Sequence, residues 1–302
     1  MRVFVTGGTG FVGREVLKQL VAAGHTPRVL VRDKGQKKLP ALAGIETAPG
    51  DILKPKTLSA ALEHCDAVIH LVGIIREFPA RGITFERLHV EATRNLIAAA
   101  SQHKISRFIH MSANGSRENA ATAYHFTKWR AEQAVRESEF AWTIFRPSLI
   151  YGRHDQFINM LAMQVRRLPT IPVIGDGQYR LSPVAVEDVA HGFVEALSLE
   201  ASVAKSFNCG GPQTVTYDQL LDAVATALGR PSPLKLHHPL WMMRPVIRIL
   251  EGFSAFPITS GQLTMLLEGN ACDPQAWCEA FALRLTPLDE GLSRMLTAER
   301  PT

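Results

Sequence analysis

The chain opens on a pattern that few folds accommodate. Arg2, Val3, Phe4 and Val5 form a short apolar run rich in β-branched and aromatic residues, as a buried strand does. Gly7, Gly8, Gly10 and Gly13 follow at once. Apolar residues then recur at helical spacing from Phe11 through Val16, Leu17, Leu20 and Val21 to Gly24, which stands where a C-cap glycine belongs. Strand, glycine turn and helix in this order make an anion cradle. The glycines allow a tight turn and close backbone approach, and the helix N-terminus offers free N–H groups and a positive dipole end. Gly8, Gly10 and Gly13 have the G-x-G-x-x-G spacing that, in this context, fits a dinucleotide pyrophosphate. The bland alternative is a tight strand–helix turn with no ligand.

The first half continues to alternate. Strands are expected at 27–31, 45–48, 67–72, 108–111 and 142–145, with helices at 56–63, 85–103 and 124–137. Strands alternating with helices imply right-handed βαβ units, and so an α/β fold with a doubly wound parallel sheet, the Rossmann arrangement. After Arg146, Pro147 and Ser148 the rhythm changes. A helix at 155–167, a strand at 180–186, a helix at 189–199, a turn at Gly210, Gly211 and Pro212 and a helix at 217–228 precede Pro231, Pro233, Pro239 and Pro245. The chain is therefore read as a nucleotide-binding domain at 1–150 and a smaller substrate or partner lobe at 151–302, interleaved with the first. In such folds ligands bind beyond the carboxyl ends of the strands, where an added lobe can select a substrate.

Bulk composition narrows the partners. Lys+Arg 33 against Asp+Glu 28 gives +5, with no Lys/Arg block, which argues against nucleic acid and suits an anionic cofactor or membrane surface. Cys65, Cys209, Cys272 and Cys278 have neither zinc nor disulfide spacing and read as reduced thiols. A strand at residue 2 leaves no room for a signal peptide, and no apolar run is long enough to span a membrane. The expected location is cytoplasmic, with peripheral contact to the inner face of the membrane as the sharper option.

Tyr124 and Lys128 stand four apart on an expected helix and so share a face. A phenol titrates near about 10, and a neighbouring ammonium favours its ionised form, which tunes the pair for proton transfer. The bland reading is a surface Tyr stacked on a Lys stem. Position raises the sharper one: the pair follows the fifth strand, and Ser112 sits just past that strand's end, where it can donate to a substrate carbonyl. At the end of the second strand the chain reads Arg32, Asp33, Lys34. An acidic residue first in this place would bind a ribose 2′-hydroxyl, whereas Arg accommodates a 2′-phosphate, so NADP(H) is favoured over NAD(H).

At this point the chain resembles a family. Thr6 to Gly13, Gly50-Asp51, His70-Leu71-Val72-Gly73, Ser112, the Tyr124/Lys128 pair and Arg146-Pro147-Ser148-Leu149-Ile150-Tyr151-Gly152 look like the extended and atypical short-chain dehydrogenase/reductases, which are epimerase/dehydratase-like. The match continues through 183–190 and 207–212, so it covers roughly residues 1–230. Within the superfamily the chain is most similar to the nucleotide-binding accessory subunit of respiratory complex I and its bacterial relatives, through Tyr124 to Lys128, Val72-Gly73-Ile74-Ile75 and Pro257 to Leu263. The resemblance implies a cofactor site at Gly7, Gly8, Thr9, Gly10, Phe11, Val12 and Gly13, with Gly7, Gly10 and Gly13 on the pyrophosphate. Asp51 and Ile52 would flank adenine, and Val72 and Gly73 would line the path to the nicotinamide ribose. Tyr124 and Lys128 would be the acid/base pair, and Pro147, Ser148 and Leu149 would meet the nicotinamide edge. The chain departs from the family at His89, where an Asn usually organises a proton relay. An imidazole can relay protons, or its presence can mark lost turnover.

Weaker candidates remain. Asp188 reads as a helix cap. His237 and His238 lack a metal partner spacing. The segment 240–253 is apolar, with Arg244 and Arg248 four apart, and reads as a packed helix, an interfacial helix or the wall of an apolar-substrate pocket. Three functions compete: an NADP(H)-dependent oxidoreductase acting on a carbonyl or quinone-like group through Ser112, Tyr124 and Lys128; a non-catalytic cofactor-holding subunit of a membrane respiratory complex; and a sugar-nucleotide epimerase or dehydratase.

Overall fold

The computed structural model describes residues 1–32, 35–253, 256 and 258–297; Asp33, Lys34 and Pro257 lie outside them. The chain packs as two compact units. The first comprises 1–147, 186–208 and 275–283, and the second the remainder.

The first unit is built on a seven-stranded sheet. Its strands are β1 (Arg2–Thr6), β2 (Thr26–Val31), β3 (Glu46–Pro49), β4 (Ala67–His70), β5 (Arg107–Met111), β6 (Ala141–Pro147) and, later in the chain, β11 (Lys205–Cys209). The order is β11-β6-β5-β4-β1-β2-β3. Val3 pairs in parallel with Pro27 on one side and Ala67 on the other, so the strand order reverses at β1 and β4, the switch point where such sheets bind ligands. All four side chains of β4 are buried, as in a sheet covered on both faces. Helices α1 (Phe11–Ala22), α2 (Leu58–Leu62), α3 (Ala92–Ala100), α4 (Ala123–Arg136), α6 (Val186–Glu195) and α10 (Gln275–Phe281) cover it. α1 buries Val12, Val16, Leu17 and Leu20, and packs on α6. One core gathers Phe4, Leu58, Leu62, Val68, Leu96 and Phe108. Gly192 leaves the space that Trp277 fills: a Cβ there would lie 2.9 Å from the indole Nε1.

The second unit has only short strand pairs. β7 (Ile150–Tyr151) runs parallel to β10 (Val184–Ala185), β8 (Thr170–Ile174) parallel to β13 (Leu234–His238), and β9 (Arg180–Leu181) antiparallel to β12 (Val215–Thr216). Its helices are α5 (Phe157–Arg167), α7 (Tyr217–Ala227), α8 (Leu240–Leu250), α9 (Ser260–Glu268) and α11 (Leu288–Thr297). Thr216/Gln219 and Thr259/Gln262 form capping boxes that start α7 and α9. Ile158, Leu161, Ile171, Leu221, Val224 and Leu292 are among its core residues.

Three sequence expectations need correction. Residues 180–186 are not one strand: Ser182 and Pro183 separate β9 from β10, because proline has no N–H for a ladder, and α6 already begins at Val186. The helix expected at 189–199 therefore starts three residues earlier, and Asp188 lies inside its first turn, at the positive dipole end, rather than before it. The helix expected at 85–103 begins as a π-helical stretch, Glu86–Glu91, and continues as α3.

Candidate active site

The glycine turn has the geometry of an anion cradle. Gly7 has φ +77°, a region open to glycine, and a Cβ there would meet the Leu71 carbonyl carbon at 2.9 Å. Gly13 lets α1 close onto the turn: a Cβ would lie 2.3 Å from the Gly7 carbonyl oxygen and 2.6 Å from the Gly8 Cα. Gly8 makes room for Val29 and Leu17. Gly10 is the N-cap of α1, and its N–H donates to the Gly7 carbonyl at 2.9 Å. No side chain caps this helix, and its first turn, with Phe11 and Val12, carries no acidic residue. Nothing acidic or capping in that turn competes with a phosphate for those N–H groups, so the cradle fits a dinucleotide.

The neighbouring strand ends supply the other expected contacts. Arg32 is exposed at the end of β2 and has no side-chain partner among the described residues. Asp51 turns the chain after β3, its Oδ1 accepting from the Leu53 N–H at 3.0 Å, and buried Ile52 is held through its carbonyl by Asn95 Nδ2 at 3.1 Å. Val72 and Gly73 follow β4. Gly73 leaves room for a lysine head group, since a Cβ would lie 2.9 Å from Lys128 Nζ. Pro147 ends β6 in the first unit, and its carbonyl accepts from the Asn114 N–H at 2.9 Å. Ser148 and Leu149 open the second unit, where the Ser148 N–H donates to the Cys209 carbonyl and its hydroxyl to that of Asn270.

Tyr124 and Lys128 lie one turn apart on α4, whose N-cap Thr122 accepts from the His125 N–H at 3.3 Å. Lys128 is buried, and its Nζ donates to the Met111 carbonyl at 2.9 Å, which seats it beside the next residue, Ser112. Burial lowers its pKa to about 8, partly offset by Glu132. Glu132 is itself held by Arg146, Nε to Oε1 at 2.8 Å, and by Arg136. The expected lowering of the Tyr124 pKa is not found. Burial pushes that phenol up to about 12, and the Lys128 proton is directed at a backbone carbonyl. Ser116 gives its one proton to the Ala113 carbonyl at 2.8 Å, so Ser112 donates to Ser116 at 3.1 Å. A substrate carbonyl would compete with Ser116 for that proton.

His89 is a fixed part of this wall. Thr127 donates to the Ala123 carbonyl at 2.7 Å, so it accepts from His89 Nδ1–H at 2.9 Å, and Nε2 then accepts from the Ile74 N–H at 3.2 Å. Both ring nitrogens are used within the protein, and burial with Lys128 nearby lowers the His89 pKa to about 2. The neutral ring stacks on Phe85 and meets the Tyr124 ring edge to face at 5.5 Å. The ring packs against Tyr124, and both of its nitrogens are engaged within the protein in this arrangement. Below it, Thr93 donates to the His89 carbonyl at 2.6 Å and accepts from His70 Nε2 at 3.0 Å, while His70 Nδ1 accepts from Thr6 at 2.6 Å. Sequence reasoning missed Thr6, Phe85, Thr93 and Thr127. Thr6 meets His70, Thr93 meets His70 and Thr127 meets His89 across long stretches of chain, contacts that no local pattern marks.

A switch-point cradle, a buried lysine and a tyrosine on one helix face define a nicotinamide-dinucleotide-binding protein of Rossmann architecture. The sequence matches the NAD(P)H-binding family over residues 7–198, and the chain belongs to that family. Among its relatives is the mitochondrial NADH dehydrogenase [ubiquinone] 1 alpha subcomplex subunit 9 of Arabidopsis thaliana, 29% identical over 94% of this chain and 73% of that protein. The ceramide reductase of Caulobacter vibrioides is 32% identical over 62% of this chain and 58% of that protein. The UDP-glucose 4-epimerase of Thermotoga maritima shares the fold, with a TM-score of 0.77 over 98% of each chain at 19% identity.

Proposed function

We propose that this chain is an NADP(H)-dependent oxidoreductase for a carbonyl or quinone-like group. The observation that carries the reading is Lys128, buried beside Gly73 and one helical turn from Tyr124. The bound nicotinamide supplies or accepts hydride. Around it, Gly7, Gly8, Thr9, Gly10, Phe11, Val12 and Gly13 hold the pyrophosphate, Asp51 and Ile52 the adenine, and Arg32 the 2′-phosphate. Lys128 holds ribose hydroxyls past Val72 and Gly73, with Pro147 at the nicotinamide edge. Ser112 donates to the substrate oxygen. Tyr124, which keeps its proton at neutral pH, delivers it to that oxygen during reduction and retrieves it during oxidation. The similarity to a reductase supports this reading.

A second reading, a cofactor-holding accessory subunit of a membrane respiratory complex, is favoured by α8. Trp241, Ile249 and Phe253 are 78%, 74% and 65% exposed, an apolar surface suited to a protein or lipid partner on the inner face of a membrane. Similarity to the Arabidopsis subunit over 94% of this chain supports it. No helix among the described residues is long and apolar enough to cross a membrane.

NADPH oxidation across a panel of carbonyls and quinones separates the two. Tyr124→Phe should lower turnover by about a hundredfold or more while cofactor affinity stays nearly constant, because only the phenolic proton is lost. Lys128→Met should damage both. Tight NADPH binding by wild type with no oxidation of any acceptor would favour the accessory-subunit reading instead.

A further inference from the structure

The second unit contains an apolar cavity of about 380 Å³, within the roughly 300–1,000 Å³ of small-molecule sites. All its lining residues belong to that unit. Phe157 and Met160 of α5, Met243 of α8, Met265 and Leu266 of α9, and Leu181 give it aliphatic, aromatic and thioether walls. Methionines at three of these places can adapt to a flexible chain. Tyr179 and Tyr217 add two rings 5.2 Å apart.

Two features narrow the occupant. Among the described residues no Lys, Arg, Asp or Glu lines the cavity, and His238 is its one imidazole. A sugar nucleotide would bring two phosphate charges into it with no lysine or arginine to meet them, at a large desolvation cost. One polar group, by contrast, is unsatisfied. Gln164 Oε1 is buried at the lining without a hydrogen-bond partner among the described residues. A buried acceptor left unpaired is costly; with no surface open to the cavity it meets a ligand donor when the Gln164 side chain turns inward, a rotation that the new hydrogen bond would favour.

We propose that this cavity binds a neutral molecule with a long apolar body and one hydrogen-bond donor, such as an isoprenoid or acyl-chain alcohol, with its donor on Gln164. The proposal rests on the oxidoreductase reading for what is reacted, although not for binding itself. The outward side of α8 carries Trp241 and Ile249 while Met243 faces the cavity, so one helix serves both as wall and as apolar surface.

The test uses the full chain, Nile red as the reporter and farnesol as the competitor. Saturable Nile red fluorescence displaced by farnesol is expected. Met243→Trp, which fills the cavity, should weaken farnesol about tenfold or more and leave NADPH affinity unchanged. Gln164→Leu should cut the preference for farnesol over its methyl ether, which lacks the donor, by up to about tenfold. Trp241→Ser/Ile249→Ser should leave displacement intact; if it abolishes displacement, the dye reports the exposed helix and the proposal falls. Undiminished NADPH binding with no farnesol displacement overturns the cavity proposal alone. Farnesol displacement without NADPH binding overturns the oxidoreductase reading alone. An unchanged alcohol-to-ether ratio in Gln164→Leu removes the assigned polar contact.

Discussion

The two units use burial in opposite ways. The first buries chemistry: Thr6, His70, His89, Thr93, His110, Lys128 and Glu132 are all inside, and apart from His110 each has a hydrogen bond to protein. The second buries Ser148, Asp155 and Ser182, keeps an apolar cavity, and exposes Trp241, Ile249 and Phe253. A pre-ordered polar interior fixes a few groups to fractions of an ångström, as a shared cofactor requires. An apolar cavity lined by unbranched methionines sets shape and polarity loosely, as selection among related apolar molecules requires. On the proposed reading, cofactor chemistry falls to the first unit and ligand choice to the second.

The largest effects should come from two glycines, one per unit. Gly13→Val places a branched side chain where the Cβ alone would lie 2.3 Å from the Gly7 carbonyl oxygen, so the turn cannot persist and NADPH binding should be lost. Gly291→Val meets the Tyr151 hydroxyl, 2.1 Å from its Cβ, and should unfold packing in the second unit. Calorimetry of NADPH binding with hydrogen exchange on both variants checks the pair. If Gly291→Val abolishes NADPH binding as fully as Gly13→Val does, the division of labour between the units is broken. Gly10→Ala is the mild control, because its Cβ would meet only the Gly7 oxygen, at 3.2 Å.

Acid should separate the units next. Burial lowers the pKa of His70 to about 3 and of His89 to about 2, and lowers that of His110 as well, from 6.5 in each case. Below pH 6.5 the unfolded chain takes up protons that the folded first unit refuses. Stability is therefore complete above that value and falls as pH drops toward the folded pKa values. The slope approaches roughly 1.4 kcal/mol per pH unit for each histidine. Among the described residues the second unit buries no histidine. Hydrogen exchange at pH 5 against pH 7 should show protection lost from β4, β5 and α3 before α5 and α7. Simultaneous loss would remove the histidines as the cause. At the alkaline end, the lowered pKa of Lys128 predicts that NADPH affinity falls as pH rises through about 8, because the ammonium that meets the cofactor is then lost.

A smaller effect sharpens the first unit's role. Arg32→Asp removes a 2′-phosphate partner and adds repulsion. Charge-assisted contacts are worth about 1.5–3 kcal/mol, so NADPH affinity should fall about tenfold or more while NADH affinity changes little. Wild-type protein that binds NADH more tightly than NADPH would contradict the assignment of Arg32.

What the sequence disclosed follows the same division. The β1–α1 cradle was legible because its determinants lie within thirteen residues, and Gly7 and Gly13 adopt the roles that their spacing implies. That Tyr124 and Lys128 share a helix face was legible from helical period, and their place after the fifth strand singled them out. β11 was not: Lys205–Cys209 alternates weakly, and its place at the sheet edge is set by β6, far back in the chain. β8 hid behind Pro172, whose missing N–H argues against a central strand but is tolerated in a two-stranded pair. The hydrogen bonds that hold His89 were not legible, because its partners, Thr127 and Ile74, are separated from it by 38 and 15 residues. The cavity left no local signature, since α5, α8 and α9 each contribute residues that would pass for ordinary core.

The smallest expected effect tests the outer face of the second unit. α8 buries only Ile247, so Trp241, Val246, Ile249 and Phe253 confront whatever surrounds the protein, with Arg244 and Arg248 also exposed. Apolar side chains flanked by cations match an interfacial helix on anionic headgroups, each well-placed cation adding about 1 kcal/mol. Weak sedimentation with phosphatidylserine vesicles is expected at low salt. It should diminish as the Debye length contracts from about 30 Å at 0.01 M to 8 Å at 0.15 M. Arg244→Glu/Arg248→Glu should reduce it by a few-fold to about thirtyfold, and Trp241→Ser should weaken it at any salt by removing buried apolar area. NADPH affinity should not change in either variant, because the cradle lies in the other unit. Protein that remains wholly in the supernatant at low salt, with Trp241 fluorescence unshifted, would make this helix face a protein-binding surface, and the second unit would then differ from the first in its interior alone.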